Sequence, residues 1–331
     1  LGAPTATAQD FRRLPPERST MAVIAESAFI SAGERCAARV FLPEEAVGPL
    51  PCVLMAHGAT ATADLVLPAY AERFVGRRMV VVTFDYRHFG ASAGEPRQLI
   101  SIPSQLEDLR AALGFCRSLP QVDPARVALW GTSLGGGHVL VVAAEDPLVA
   151  AVVAQLPFVG NEWRRLRRPL AVLRGLRLVA AGLADLGASK LGTPERTLPL
   201  AGPPGSRALF CGETEWAFAQ WASRTSPHWR NRLLARSILG MLGYRPMRWA
   251  PKVSAPLLVC AVDEEGTASL RLAGIAARRA PHGRLLVYPG EHFQAYSGPV
   301  FEMMVEDEAQ FLGDALRPPG RRSAQSRKLL N

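Results

Sequence analysis

Lysine is nearly absent from this 331-residue chain, with three residues against 35 arginines. So strong a bias reports a GC-rich genome, in which lysine codons are rare. No stretch of 18 uncharged apolar residues occurs, so no membrane-spanning helix is expected. The first twenty residues lack the apolar core of a secretory signal; residues 1–21 are read as a flexible N-terminal extension. Five cysteines (Cys36, Cys52, Cys116, Cys211, Cys260) include no CxxC pair. Such an odd, scattered set reads as free thiols, mostly small apolar core residues, in a reducing compartment, so a cytoplasmic location is expected. Metal-ligand spacings, paired-acid clusters, nucleotide-binding glycine fingerprints and internal repeats are also missing. No metal and no cofactor are therefore expected.

The net charge of +9 invites a nucleic-acid reading. Its distribution argues against that. Residues 161–180 carry six Arg and one Glu, and residues 317–331 carry four Arg, one Lys and no acid; without these two patches the chain stands at −1. No aromatic–basic module accompanies either patch, and no nucleic-acid partner is expected.

What the chain does have is a rhythm. Short apolar runs at 51–58, 79–86, 126–131 and 149–157 alternate with helix-like stretches at 67–77, 103–119 and 134–145. In 103–119, Leu106, Leu109, Leu113 and Cys116 recur at three- and four-residue steps between Pro103 and Pro120. Strands apolar on both faces, separated by helices, predict a mostly parallel sheet flanked by helices, an α/β fold. Runs at 23–30 and 35–42 predict an antiparallel hairpin leading into it. The rhythm breaks after Pro157 and resumes at 255–262, with a helix near 268–280, a strand at 284–289 and a helix near 299–316. A structureless loop of this length would be implausible. Residues 158–250 are therefore read as an inserted helical cap, with helices around 163–187 and 227–242. The core comprises 22–157 and 251–316, and 317–331 is read as a disordered basic tail.

Gly131-Thr132-Ser133-Leu134-Gly135 follows the strand RVALW and opens a helix. This is a G-x-S-x-G nucleophile elbow in its required strand–turn–helix context. A sharp turn lifts the Ser133 hydroxyl above the sheet edge. Gly131 and Gly135 flank it where side chains would collide, and the helix N-terminus aims N–H groups at developing negative charge.

With His57-Gly58-Ala59 after one strand, Asp85-Tyr86-Arg87-His88-Phe89-Gly90-Ala91-Ser92 after the next, ALWGTSLGGGHVL at the elbow and HFQAY after the last strand, residues 22–316 resemble the α/β-hydrolase superfamily. The nearest look is to bacterial esterases and the X-Pro dipeptidyl-peptidase-like branch. The resemblance implies that His292, in PGEHFQAY, is the base for Ser133. It implies an acid in the loop after the 255–262 strand: Glu265, with Asp263 as the alternative. It places the oxyanion hole at the backbone N–H groups of Leu134 and Ala59, with Thr60 as the alternative to Ala59. His57, in the oxyanion turn, is read as structural; His88 lies in the loop after a strand, His138 on the helix after the elbow and pointing elsewhere, His228 in the insertion and His282 before a strand. The chain departs from the family pattern at Glu291 and Gln294 beside the base; Glu291 is expected to face solvent.

The implied activity is serine hydrolysis, through an acyl-enzyme, of a small-molecule ester, thioester or lactone with a largely apolar acyl portion. Acyl transfer or cyclisation by the same triad is one alternative, and an idle ligand- or partner-binding scaffold is another. Trp163, Trp216, Trp221, Trp229 and Trp249 of the insertion are expected to pack its core and line an apolar pocket. Residues 163–187 read as a lid with a solvated Arg face in preference to a membrane-surface helix. Arg164, Arg165, Arg167 and Arg168 would form a positive rim attracting acidic substrates, such as acyl groups on a phosphate-bearing carrier.

Overall fold

The computed structural model describes residues 22–44, 48–161, 169–265 and 268–318. The extension 1–21, the tail from 319 onward, Trp163 and the four arginines at 164, 165, 167 and 168 lie outside the described residues.

Eight strands form one sheet: β1 (Ala22–Ser31), β2 (Glu34–Pro43), β3 (Leu50–Ala56), β4 (Val80–Phe84), β5 (Val122–Thr132), β6 (Ala151–Gln155), β7 (Leu257–Val262) and β8 (Gly283–Tyr288). Their order is β1-β2-β4-β3-β5-β6-β7-β8. The predicted hairpin is present, with β1 and β2 paired antiparallel from Ala22↔Pro43 to Ser31↔Glu34. Its two-residue turn puts Ala32 at φ 47° and Gly33 at φ 85°, the positive pair that suits the twist of a tight hairpin. β2 meets β4 antiparallel, and from β4 to β8 every pairing is parallel. All residues of β4 and β7 are buried, which is why both read as unbroken apolar runs.

Helices cover both faces. α1 (Leu67–Val75) packs against α8 (Gly298–Ala315), while α2 (Ile102–Ser118) packs against α3 (Leu134–Glu145). α2 starts where its sequence says it should: the Ser101 hydroxyl accepts from Ser104 N–H, and Pro103 sits in the first turn. Its Leu109, Leu113 and Cys116 are buried and Leu106 is half-buried. α7 (Leu270–Arg279) links β7 to β8 and is capped by the Ser269 hydroxyl.

Between β6 and β7 the chain makes α4 (Pro169–Lys190), α5 (Glu213–Thr225) and α6 (Ser237–Gly243), with four short strand pieces among them. This corrects two expectations. A helix was not foreseen at 213–225, although Phe218, Trp221 and Ala222 bury one side of it at helical spacing. The helix expected over 227–242 shrinks to 237–243. Pro227 and a run of side-chain anchors hold 227–236 open instead: His228 Nδ1 meets Asp64 Oδ2 at 3.0 Å, and Asn231 bonds the backbone of Ala201 in both directions at 2.9 and 2.8 Å.

One buried acid lies beneath the sheet. Glu308 of α8 is fully buried; Trp130 Nε1–H donates to its Oε2 at 2.8 Å, and its Oε1 has no donor among the described residues. Burial pushes its carboxyl from an ordinary 4.5 up to about 8. The unfolded chain therefore loses this proton first, and stability should fall as pH rises from 4.5 through 8. Glu308→Gln removes that loss, on the order of a few kcal/mol. Its melting temperature should exceed that of the parent at pH 8, with the gap narrowing toward pH 4.5. Parallel melting profiles for the two proteins across this range would show that Glu308 is not held neutral.

Candidate active site

Ser133 sits between β5 and α3 with φ 54° and ψ −117°. A non-glycine residue tolerates that geometry only where its surroundings enforce it. Here Ser133 N–H donates to Gln155 O at 2.9 Å, and Ser133 O accepts from Gly137 N–H at 3.2 Å and Phe158 N–H at 2.8 Å. The flanking glycines are required by space. A Cβ on Gly131 would lie 2.4 Å from Gly135 O, and one on Gly135 would lie 2.3 Å from Ala56 O. The turn thus packs backbone directly on backbone.

His292 opens the short turn His292–Tyr296 after β8. Its Nδ1 lies 3.0 and 3.1 Å from the two carboxylate oxygens of Glu265, and both side chains are only 3% exposed. Glu265 is fixed in turn by Ala268 N–H, which donates to Oε1 at 2.8 Å. Asp263 does something else: its Oδ1 accepts from Gly290 N–H at 2.9 Å, tying the β7 loop to the β8 loop. Between the two acids weighed from the sequence, the geometry joins Glu265 to His292. No hydrogen bond joins His292 to Ser133 Oγ in this structure; such bonds commonly tighten only around a substrate.

The N–H groups of Ala59 and Leu134 make no hydrogen bond among the described residues, and both residues line the same cavity as Ser133. Thr60 instead occupies a left-handed turn at φ 53° and does not line that cavity. The turn is closed by Ala61 N–H donating to Ala59 O at 2.8 Å.

Of the remaining histidines, His57 lines one small cavity together with Ser133. His57 Nδ1 bonds Gly58 O at 2.8 Å, and burial lowers its pKa. His138 is buried between Tyr244 Oη at 2.7 Å and Gln105 Oε1 at 3.0 Å, and burial pushes it down to about 3. His228 pairs with Asp64, and His282 is exposed in the turn before β8.

Glu291 corrects an expectation. It does not face solvent: it is half-buried, and its Oε2 accepts from the Thr214 hydroxyl at the start of α5. Its side chain also caps the His292 turn, while Gln294 Oε1 accepts from Glu291 N–H at 2.7 Å. The two residues that depart from the family pattern therefore build the turn that carries His292, and Thr214 ties that turn to α5. Glutamate is not one of the residues that ordinarily cap a helix, so the Glu-x-x-Gln spacing gave no ready signal of this role.

Ser133 opens on two cavities of unequal size. The larger, about 450 Å³, runs under α4 and α6 and is walled by Phe158, Leu176, Val179, Phe210, Ile238 and Met241. The smaller, about 40 Å³, lies among Thr62, Phe218, Trp229, Phe293 and Tyr296. Of the insertion's tryptophans, Trp221 and Trp229 are buried, and only Trp229 among the described ones lines a cavity at Ser133. Among the described residues no group of three His, Cys, Asp or Glu side chains could hold a metal ion, and no helix is long and apolar enough to cross a membrane.

An eight-stranded, mostly parallel sheet with this strand order and a serine elbow after its fifth strand defines a recognised class. The profile of the Alpha/beta hydrolase family matches residues 53–302, and the chain belongs to that family. Among curated proteins it is 38% identical over 285 residues to the quorum-quenching protein AidA of Acinetobacter baumannii, covering 86% of this chain and 92% of that one. It is 26% identical over 274 residues to the thiohydrolase aneE of Aspergillus aculeatus, covering 80% and 86%. Among solved structures, the alpha/beta hydrolase GrgF from Penicillium sp. superposes with a TM-score of 0.74 at 22% identity, covering 89% of this chain and 99% of that one. That likeness shows the fold alone.

Proposed function

We propose that the protein is a serine hydrolase acting on an ester, thioester or lactone with a long apolar portion. Ser133 Oγ attacks the carbonyl carbon while His292 takes its proton through Nε2. The Glu265 carboxylate holds the imidazole by Nδ1 and stabilises its protonated form. The oxyanion of the tetrahedral intermediate is received by the N–H groups of Leu134 and Ala59. His292 returns the proton to the leaving oxygen or sulfur, and an acyl-enzyme remains. His292 then takes a proton from water, the resulting hydroxide attacks the acyl carbon, and the acid departs as Ser133 recovers its proton.

One observation carries this reading: an imidazole and a carboxylate, 3.0 Å apart and both buried, lie in the loops beside a strained serine that opens on an apolar cavity. The segment 158–250 serves as the cap, since α4 and α6 wall that cavity. Relatives named as thiohydrolases agree with thioesters within the substrate range, and another is named a quorum-quenching protein. The five thiols, all unpaired, suit a reducing compartment such as the cytoplasm.

The test is labelling with a fluorophosphonate probe. The parent protein should label stoichiometrically, and Ser133→Ala should not label at all. Failure of the folded parent to label would remove the serine as nucleophile.

Acyl transfer is the second reading, favoured by relatives named polyketide transferases, one 28% identical over 219 residues. It predicts an ester or cyclised product with no free acid when an alcohol acceptor is supplied, which product analysis separates from hydrolysis.

A further inference from the structure

Ser133 follows β5 and His292 follows β8, and these two strands do not touch. β6 and β7 lie between them in the sheet, so strand pairing alone does not set the distance from nucleophile to base. Side chains bridge the gap. Gln155 ends β6 beside the elbow, and its backbone oxygen accepts from Ser133 N–H at 2.9 Å. Its side-chain amide donates to the Tyr70 hydroxyl, and Tyr70 Oη–H donates onward to Ala295 O at 2.6 Å. Ala295 belongs to the same short turn as His292. The path from Ser133 to that turn thus runs through one amide and one phenol.

The phenol is built into this place. Tyr70, on α1, is fully buried and lines neither cavity at Ser133. Phe301 of α8 meets its ring edge-on with centroids 4.9 Å apart, and Trp130 of β5 packs at 5.0 Å. Burial pushes the hydroxyl well above its ordinary 10, so the proton given to Ala295 stays in place. Because Gln155 donates into the oxygen, the single phenolic proton is directed at Ala295. A second tie of the same kind stands beside the first. Thr132 Oγ1, on the residue before Ser133, lies 2.9 Å from Tyr296 Oη, on the residue after Ala295. Buried hydroxyls therefore fasten successive residues of the His292 turn to the elbow and its neighbouring strand.

We infer that Tyr70 is a positioning residue for the reaction: its hydroxyl, gripped between the Gln155 amide and the Ala295 carbonyl, sets the turn of His292 at the distance from Ser133 that proton transfer requires. This deepens the serine-hydrolase reading and rests on it. Tyr70 stands away from both cavities and acts through His292. A misplacement of about 1 Å can cost on the order of a hundredfold in rate, which is why a single buried oxygen matters to the chemistry.

The experiment compares Tyr70→Phe in two backgrounds, the parent and His292→Ala, with the activated ester p-nitrophenyl decanoate. The variant keeps the ring and removes one oxygen. In the parent it should lower kcat roughly tenfold with KM within about twofold. In His292→Ala it should change the residual rate by less than about twofold, since no base is left to place. Equal losses in the two backgrounds mean a role in packing alone, and no loss in the parent means no role; either result overturns the inference. A loss carried wholly by KM overturns it as well. Should Tyr70→Phe not fold, Gln155→Met decides. It is nearly isosteric, removes the amide and keeps the backbone oxygen that accepts from Ser133 N–H. It should lower kcat at least about threefold in the parent and stay within about twofold in His292→Ala; equal losses, or none, overturn the inference. Fluorophosphonate labelling of the parent separates the two levels: absent labelling defeats the serine-hydrolase reading itself, and retained labelling with equal losses defeats only the role of Tyr70.

Discussion

Replacing Ser133 with alanine should lower kcat by about 10⁶, replacing His292 should cost nearly as much, and the double replacement should cost no more than either alone. The non-additivity is the informative part. A nucleophile and its base act as one unit, so removing either leaves the other without a task. A residual rate, roughly 10³–10⁴ above the reaction in water, should survive in both variants, because the Leu134 and Ala59 N–H groups and the large cavity are untouched. Single-turnover measurements on one activated ester, made with the two single variants and the double variant, provide the comparison. Additive losses would mean that Ser133 and His292 serve different steps. Full activity in Ser133→Ala would remove the serine as nucleophile; an inactive parent whose ligand binding survives Ser133→Ala would instead favour the binding scaffold that the sequence also allows.

The strands of the sheet and the elbow were legible because each rests on local chemistry. Unbroken apolar runs such as VVVTF and LLVCAV have no solvent-facing side, so they mark buried parallel strands. Gly131 and Gly135 stand where any Cβ would enter backbone atoms, and that constraint leaves a direct imprint on residue type. The insertion was less legible because its structure is set by contacts across the chain. Residues 227–236 are kept out of a helix by Asp64, Ala201 and the Ser226 hydroxyl, and none of these partners is marked in the local pattern. Glu291 shows the same limit: a polar residue next to His292 reads as solvent-facing, and its contacts with Thr214 and the His292 turn are set by the fold.

Glu265, the proposed acid, is where sequence and geometry meet most directly, and Glu265→Gln should lower kcat by about 10³–10⁴ while leaving the fold intact. The carboxylate accepts from two sides, from His292 Nδ1–H and from Ala268 N–H. A glutamine can keep one of these bonds through its carbonyl oxygen, but it cannot answer the positive charge that appears on the imidazole during attack. If its NH₂ group faces Nδ1, the imidazole is forced into the tautomer with its proton on Nε2, where it can no longer act as a base. Asp263→Asn tests the alternative on equal terms. Among the described residues its side chain accepts from Gly290 N–H at 2.9 Å, a bond that an asparagine oxygen accepts equally well, so activity should stay within about threefold of the parent. The two variants differ in a second readout. Loss of the Glu265 charge acts on the charged transition state, so kcat should fall with little change in KM. A slackened β7–β8 loop would instead move KM and thermal stability together. A large kcat loss in Asp263→Asn with an active Glu265→Gln would reassign the acid, and with it the path by which His292 is oriented.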